Sequence, residues 1–245
     1  MILPYRLLAG RCREVLGAAR QLTLPSACVS CGLPGAWCCS ACFAAIPPGP
    51  PPRRHPVPVV AGAHYDGTAR QLMLALKDRQ ITAVSRPLAA VLGRVLTGAA
   101  LVPVPAHRRS WLERGFDPLS EILRHVSVPV HPALGWRRQP RTQKSLSAAE
   151  RRRNVTGAFR VRGRPMGPVA VIDDVITTGA TTAEAVRVLR QAGWEVLGVV
   201  GVCLVADPQE HPGAGRVSVK PEPRRGHDRR DRRPWSPHGT VGQLP

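Results

Sequence analysis

Aromatic residues are scarce in this chain: three Phe, two Tyr and five Trp among 245 residues. Any core must therefore be filled by Val, Leu and Ala, which still help bring hydrophobic content to 43%, enough for one good core and a small appendage. Lysine is scarcer still, since Lys77, Lys144 and Lys220 are the only three among 35 basic residues. Arginine supplies the rest, and against 16 acids it leaves a formal net charge of +19. That balance favours polyanionic partners, because phosphates attract clustered arginine. Nowhere is there the run of about 18 apolar residues that a spanning helix needs, so no membrane span is expected. The N-terminal stretch is broken by Arg6, Arg11, Arg13, Glu14 and Arg20, unlike the apolar block of a signal peptide. Its Leu8, Cys12, Val15, Leu16 and Ala19 instead share one helical face, and a cytoplasmic protein is expected.

Cysteine is nearly absent outside one short segment. Only Cys12 and Cys203 lie elsewhere, while "CVSCGLPGAWCCSAC" holds Cys28, Cys31, Cys38, Cys39 and Cys42. Cys28 and Cys31, then Cys39 and Cys42, form two C-x-x-C hooks that can close tetrahedrally on zinc, with "GLPG" turning one toward the other. Cys38 can replace Cys39 in that set. Four sulfur ligands leave no open coordination position, so the zinc is expected to be structural. Disulfide pairing is the competing reading, which a reducing cytoplasm disfavours.

Along the chain, "IPPGPPPRRHPVP" cannot be helical and reads as a stiff linker at 46–58. "VVAGAHY" reads as a strand, "DGTARQLMLALKD" as a helix, and "AVSRPLAAVLGRVLTG" as a second helix ending at Gly98. "ALVPVPAHRRSWLERGF" gives a short buried strand, a turn and an Arg-rich loop, and "DPLSEILRHV" a helix. Trp136 to Arg153 is polar and basic with little apolar periodicity, as expected of a lid or binding loop. "VTGAFRV" returns to strand. "GPVAVIDD" is a continuous apolar strand of the kind covered on both faces, followed by the helix "TTAEAVRVLRQAG" and the strand "EVLGVVGVCLV". Strand, helix, strand is a parallel α/β unit. Beyond Asp207 the pattern dissolves, and 207–245 reads as a disordered basic tail, with seven basic residues against three acids from Lys220 to Arg233.

Within "VAVIDDVITTGATTAEA", Asp173 and Asp174 fall at the carboxyl end of a buried parallel strand, where open α/β sheets bind ligands. The following "VITTGATT" enters a helix, so the amides from Thr177 to Thr181 can converge on an anion at the positive end of the helix dipole. Thr177, Thr178 and Thr181 add hydroxyl donors, Gly179 permits close approach, and the carboxylates can accept from sugar hydroxyls. Together they suit a sugar phosphate. A nucleoside triphosphate fits less well, since the P-loop pattern G-x-x-x-x-G-K-[ST] is absent. The plainer alternative is an ordinary turn with solvated acids and Thr181 or Thr182 as a helix N-cap.

This stretch resembles the phosphoribosyl pyrophosphate (PRPP) signature of the type I phosphoribosyltransferases, two acids followed by T-T-G-x-T. "PVPAHRRSWLERGF", "RTQKSLSAAERRRNVTGAF" and the leading C-x-x-C pair, in that order, are similar to the competence protein F (ComF) family over roughly Leu22 to Ala206. The resemblance implies an α/β fold, a type I phosphoribosyltransferase-like parallel sheet flanked by helices. It divides the chain into an N-terminal helix and four-cysteine zinc module at 1–45, the linker at 46–58, the phosphoribosyltransferase-like domain at 59–206 and the tail. It implies that Asp173 and Asp174, the catalytic acids, hold the ribose hydroxyls, and that Thr177, Thr178, Gly179, Ala180 and Thr181 cradle the 5′-phosphate. Val104, Pro105, Ala106, His107 and Arg108 would form the pyrophosphate loop, and Arg141 to Arg153 a mobile hood. Magnesium would accompany PRPP, and Arg108, Arg109, Arg141 and Lys144 would stabilise departing pyrophosphate. The family's R-G-F usually continues with Asn and Gln; here Asp117 and Pro118 follow.

Two functions of different class result. One is a transferase acting on PRPP with the acceptor unassigned, in a protein linked to DNA uptake and competence. The other is a catalytically inactive scaffold that binds single-stranded DNA or DNA-processing partners, a competence helicase or a recombination mediator. The acid pair and T-T-G-x-T favour the first; Pro103 to Arg164, with 14 Arg or Lys against four acids, favours polyanions.

Overall fold

The computed structural model describes residues 26–54, 57–138 and 148–206. The proposed N-terminal helix face and the basic tail lie outside them. The first described helix is the short α1 (Ser40–Ala44), directly after the second cysteine hook begins. Five strands form the main sheet: β1 (Arg53–Arg54), β2 (Pro58–His64), β3 (Ala100–Pro103), β6 (Val169–Ile176) and β7 (Val196–Leu204), in the order β1-β2-β7-β6-β3. Only β1 is antiparallel to its neighbour; β2, β7, β6 and β3 run parallel. A smaller antiparallel pair joins β4 (Leu134–Trp136) to β5 (Phe159–Val161). The expected parallel sheet flanked by helices is therefore present.

The first half of β6, Val169 to Ile172, reads as an apolar run because both its faces are covered. Ala170 and Ile172 pack into one core with Leu72, Met73 and Leu76 of helix α2 (Gly67–Lys77) and Leu88, Val91 and Leu92 of α3 (Ser85–Gly93). Val169 and Val171 pack into the other with Ala185, Val186 and Leu189 of α7 (Ala180–Gln191), joined by Leu134 and Phe159. Alternate residues of one strand thus bind two layers of the molecule. Aliphatic side chains fill nearly all of both cores, as the shortage of aromatics required.

Several local expectations changed. The helix expected to reach Gly98 ends at Gly93, following a 3₁₀ turn at Thr82–Val84. The amides of Arg94 and Val95 bond back to the Val91 and Leu92 carbonyls, a tightening that closes the helix before Thr97 and Gly98. The Arg-rich loop contains helix α4 (Arg108–Arg114), and α5 (Pro118–Leu123) follows. Part of the expected lid is helix α6 (Ala148–Val155), while 139–147 lie outside the described residues.

The described residues of the Pro-rich segment expected as a linker pack against the rest of the molecule. Ile46 is buried in the α2/α3 core, Arg53 and Arg54 pair with β2, and Gly49 crosses so close to the Ala61 carbonyl that a Cβ there would collide with it. Arg94 donates to the Ile46 carbonyl at 3.1 Å and lies over the Phe43 ring at 5.4 Å. Ser30 and Thr68 share a hydroxyl hydrogen bond of 2.9 Å. The cysteine segment is therefore docked against the helices that cover the sheet.

Candidate functional site

Adjacent parallel strands β3 and β6 deliver two segments to one end of the sheet. Pro103 pairs with Ile172, and one residue further on the Val104 amide still bonds to the Ile172 carbonyl at 2.9 Å. The loop from Val104 to Arg108 thus starts beside Asp173 and Asp174. Val104 is buried, Pro105, Ala106 and His107 are half-buried, and Arg108 is exposed at the start of α4. Trp136 fixes this loop from outside. Its indole N–H donates to the Ala106 carbonyl at 2.9 Å while its ring stacks on Phe159 at 4.4 Å.

Both acids are half-buried at the carboxyl end of β6. The Asp174 amide donates to Asp173 Oδ1 at 2.9 Å, and the Lys77 ammonium donates to Asp174 Oδ1 at 2.8 Å. Desolvation, with the charge of Asp174 adding to it, pushes the Asp173 pKa up to about 8; Lys77 opposes the shift without cancelling it. Burial works against the Lys77 ammonium, but the facing Asp174 carboxylate outweighs it and raises its pKa above the ordinary lysine value.

After β6, Thr177 and Thr178 are exposed and Gly179 is the N-cap of α7 at φ 70°, the left-handed region that favours glycine. Among the described residues, no side chain caps this N-terminus in the usual way. Thr178 Oγ1 reaches the Ala180 amide only at 3.5 Å, and the buried Thr182 hydroxyl donates backward to the Gly179 carbonyl at 3.0 Å. Neither Thr181 nor Thr182 is the cap. A 12-residue helix therefore points a weakly satisfied N-terminus at the end of the sheet that carries the acids.

The base of the segment expected as a hood is held at both ends. Arg138 donates to the Asn154 carbonyl at 3.1 Å and the Thr156 carbonyl at 2.6 Å. The buried Glu184 of α7 accepts the Gly157 amide at 2.7 Å and two bonds from Arg187 at 2.7 and 2.6 Å, which hold its pKa low despite burial. Arg141, Lys144 and the Arg109 side chain lie outside the described residues. Asp117 is engaged elsewhere. Its carboxylate caps α5, accepting from the Leu119 amide at 3.2 Å and the Ser120 hydroxyl at 2.7 Å.

Cys28, Cys31, Cys39 and Cys42 come together with their sulfur atoms within 4.8 Å of one another, so they can hold a metal ion. Cys39 stands at the N-cap of helix α1, where its sulfur accepts from the Cys42 amide at 3.4 Å; its own amide donates to Cys28 Sγ at 3.5 Å. Backbone donors from Cys39, Cys31 and Ser30 overcome desolvation and lower the Cys28 pKa to about 7. Cys38 points away. Its thiol is buried in the α2/α3 core, donates to the Cys39 carbonyl at 3.8 Å, and is pushed up to about 12 by desolvation.

DNA utilization protein YhgH of Escherichia coli O157:H7 is 31% identical to this chain over 213 residues, which cover 79% of the chain and 90% of that protein. The chain belongs to this family. Competence protein F of Haemophilus influenzae is 35% identical over 144 residues, covering 55% of the chain and 58% of that protein. The structure of this chain is similar to that of orotate phosphoribosyltransferase from Aeropyrum pernix, with a TM-score of 0.31, 24% identity and coverage of 60% of the chain and 82% of that protein. No protein-family model matches the chain. No described helix is long and apolar enough to cross a membrane.

Sequence reasoning missed Lys77 and Trp136. Both are legible only as types: a rare lysine at the end of an amphipathic helix, and a lone indole in a polar stretch. Replacing Trp136 with Phe keeps an aromatic ring over Phe159 and removes the donor to Ala106. We expect a stability loss of about 1 kcal/mol in denaturant unfolding. An unchanged midpoint would show that the indole does not hold the loop.

Proposed function

We propose that this protein binds PRPP or a related ribose 5-phosphate with magnesium, and that this binding serves a role in the use of incoming DNA. The observation that carries the reading is the weakly capped N-terminus of α7 at Gly179, set immediately after two acids at the carboxyl end of a central parallel strand. A phosphate suits the helix end, where Thr177, Thr178, Gly179, Ala180 and Thr181 offer amides and hydroxyls. Asp173 and Asp174 would accept from the ribose hydroxyls, and Val104 to Arg108 would meet the pyrophosphate, with Arg141 and Lys144 closing over it. The carboxylates are hard oxygen donors of the type magnesium accepts, and one oxygen of Asp174 is already engaged by Lys77. When bound, the metal would supply charge neutralisation to a leaving pyrophosphate. In the transferase reading the chain positions the anomeric carbon and steadies developing charge, and offers no covalent group.

We further propose a structural zinc at the cysteine cluster. A tetrahedral site with Zn–S bonds of about 2.3 Å separates its sulfurs by roughly 3.8 Å. Cys31 and Cys39 sulfurs lie 3.7 Å apart. Reduced thiolates of this kind accord with a cytoplasmic protein. Residues 1–45 would then form the zinc module, 46–58 a packed connector and 59–206 the ligand-binding domain.

Calorimetric titration with PRPP and magnesium tests the site. Changing both acids to Asn preserves volume and removes the charge that orients ribose and metal, so affinity should fall at least tenfold, about 1.4 kcal/mol. Equal affinity in the double variant would place the ligand elsewhere. A second reading, a scaffold for single-stranded DNA or DNA-processing proteins, draws on the relatives' names and the basic stretch from Pro103 to Arg164. Wild-type protein that binds DNA with a steep salt dependence and ignores PRPP would favour it.

A further inference from the structure

Three ion pairs among the described residues have close geometry, and two of them, Arg124–Glu121 and Arg187–Glu184, lie within one turn of a helix. Lys77–Asp174 is different, because it joins residues 97 positions apart and both side chains are largely buried, at 21% and 19% exposure. Lys77 closes α2, and its backbone is itself held: its carbonyl accepts from Arg114 Nε at 2.8 Å. The ammonium therefore reaches the acid pair from a fixed point. The R-G-F stretch contributes to this through Arg114, while Phe116 packs against the α2/α3 core.

The residue type is informative. Lysine is one in about twelve of this chain's basic residues, three against 35 in all, yet among the described residues it is a lysine that pairs with the acids. An arginine fork would engage both oxygens of a carboxylate, whereas an ammonium is a point charge on a flexible stem that holds one oxygen and can withdraw. Asp174 Oδ1 is the contacted atom. Its other oxygen is left for a ligand hydroxyl.

We infer that Lys77 is the resident counter-ion of the acid pair, a positioning residue that holds Asp174 and keeps a divalent cation from settling on the carboxylates before the ligand arrives. This rests on reading the pair as the ribose-binding site. A divalent ion approaching the ligand-free acids must displace or tolerate a positive charge already in contact with one of them. A sugar phosphate brings hydroxyl oxygens and several negative charges, so the ion that travels with it has ligands of its own. The site thus admits metal with its ligand and resists metal alone.

Manganese, read by the electron paramagnetic resonance signal of the free ion, tests this on the ligand-free full chain with its cysteine cluster saturated with zinc. K77M should bind manganese at least tenfold more tightly than wild type, and K77Q, which keeps a hydrogen-bonding head without the charge, should show the same gain. K77R should bind no more tightly than wild type, because the charge remains. Adding D174N to K77M or K77Q should abolish the gain. Wild-type affinity in K77Q, or a gain that survives D174N, overturns the proposal. The readout contains no sugar phosphate, so a failure of the PRPP titration described above is recorded separately and leaves the manganese result to stand or fall alone.

Discussion

Serine at position 39 is expected to remove metal from the cysteine cluster and to unfold the segment built around it, while serine at the neighbouring position 38 leaves the metal in place. The two residues differ in direction rather than in burial. Cys39 Sγ lies 3.7 Å from Cys31 Sγ and accepts the Cys42 amide, so it belongs to the set of four sulfurs. Cys38 faces the α2/α3 core. Structural zinc sites contribute about 10 kcal/mol or more of apparent folding free energy, and losing one of four ligands forfeits much of it. Cys38→Ser instead puts a hydroxyl into an apolar site at a cost of about 1–3 kcal/mol. Zinc per chain after purification without chelator separates them: near one for Cys38→Ser, far below one for Cys39→Ser. The opposite pattern would exchange the roles of the two cysteines, and low zinc in wild type would remove the metal altogether. The consequence extends beyond the cluster, because Val29, Trp37 and Phe43 pack on the α2/α3 core and Ser30 bonds to Thr68 at the start of α2.

What the sequence reveals of this molecule follows from how local the cause of each feature is. Strand β6 and helix α7 are legible because a continuous apolar run and a T-T-G-x-T turn each act within a few residues. The cysteine hooks are legible for the same reason, although spacing alone left Cys38 and Cys39 exchangeable until packing turned one inward. Strand β4 was not legible: three residues, one of them glycine, are held by pairing with Phe159 to Val161 some 25 positions later. Helix α4 hid within an Arg-rich run whose exposed Leu112 and Trp111 give it no buried stripe. Asp117 looked like a departure at a ligand contact, and its local role is a helix cap. Lys77 illustrates the limit. Its helix could be read from periodicity, but its partner could not, since only the packing of α2 on the sheet brings it to Asp174.

Asp173 should contribute less and less to the stability of the ligand-free protein as pH rises from about 4 to about 8, and Asp173→Asn should remove that loss. Desolvation and the neighbouring Asp174 raise the folded-state pKa of Asp173 to about 8, against about 3.9 for an unfolded aspartate. Between those values the folded protein keeps a proton that the unfolded chain has released, so the folded state binds more protons and stability must fall with rising pH. Below about 4 both states are protonated and the contribution is whole; above about 8 it is gone. Asn resembles the protonated acid in shape and cannot ionise. Thermal unfolding should therefore show the two proteins close at about pH 4 and the variant more stable by a few kcal/mol at about pH 8, a gap of several degrees in melting temperature. Parallel curves across the range would mean that Asp173 titrates as an exposed acid. The gap also measures what a ligand can relieve. A second carboxylate charge beside Asp174 is more than Lys77 offsets, and ribose hydroxyls with an accompanying cation would stabilise that charge where the empty site does not. PRPP with magnesium should accordingly raise the wild-type melting temperature more at pH 8 than at pH 5, and this widening should vanish in Asp173→Asn, because the variant has no charge there for the ligand to stabilise.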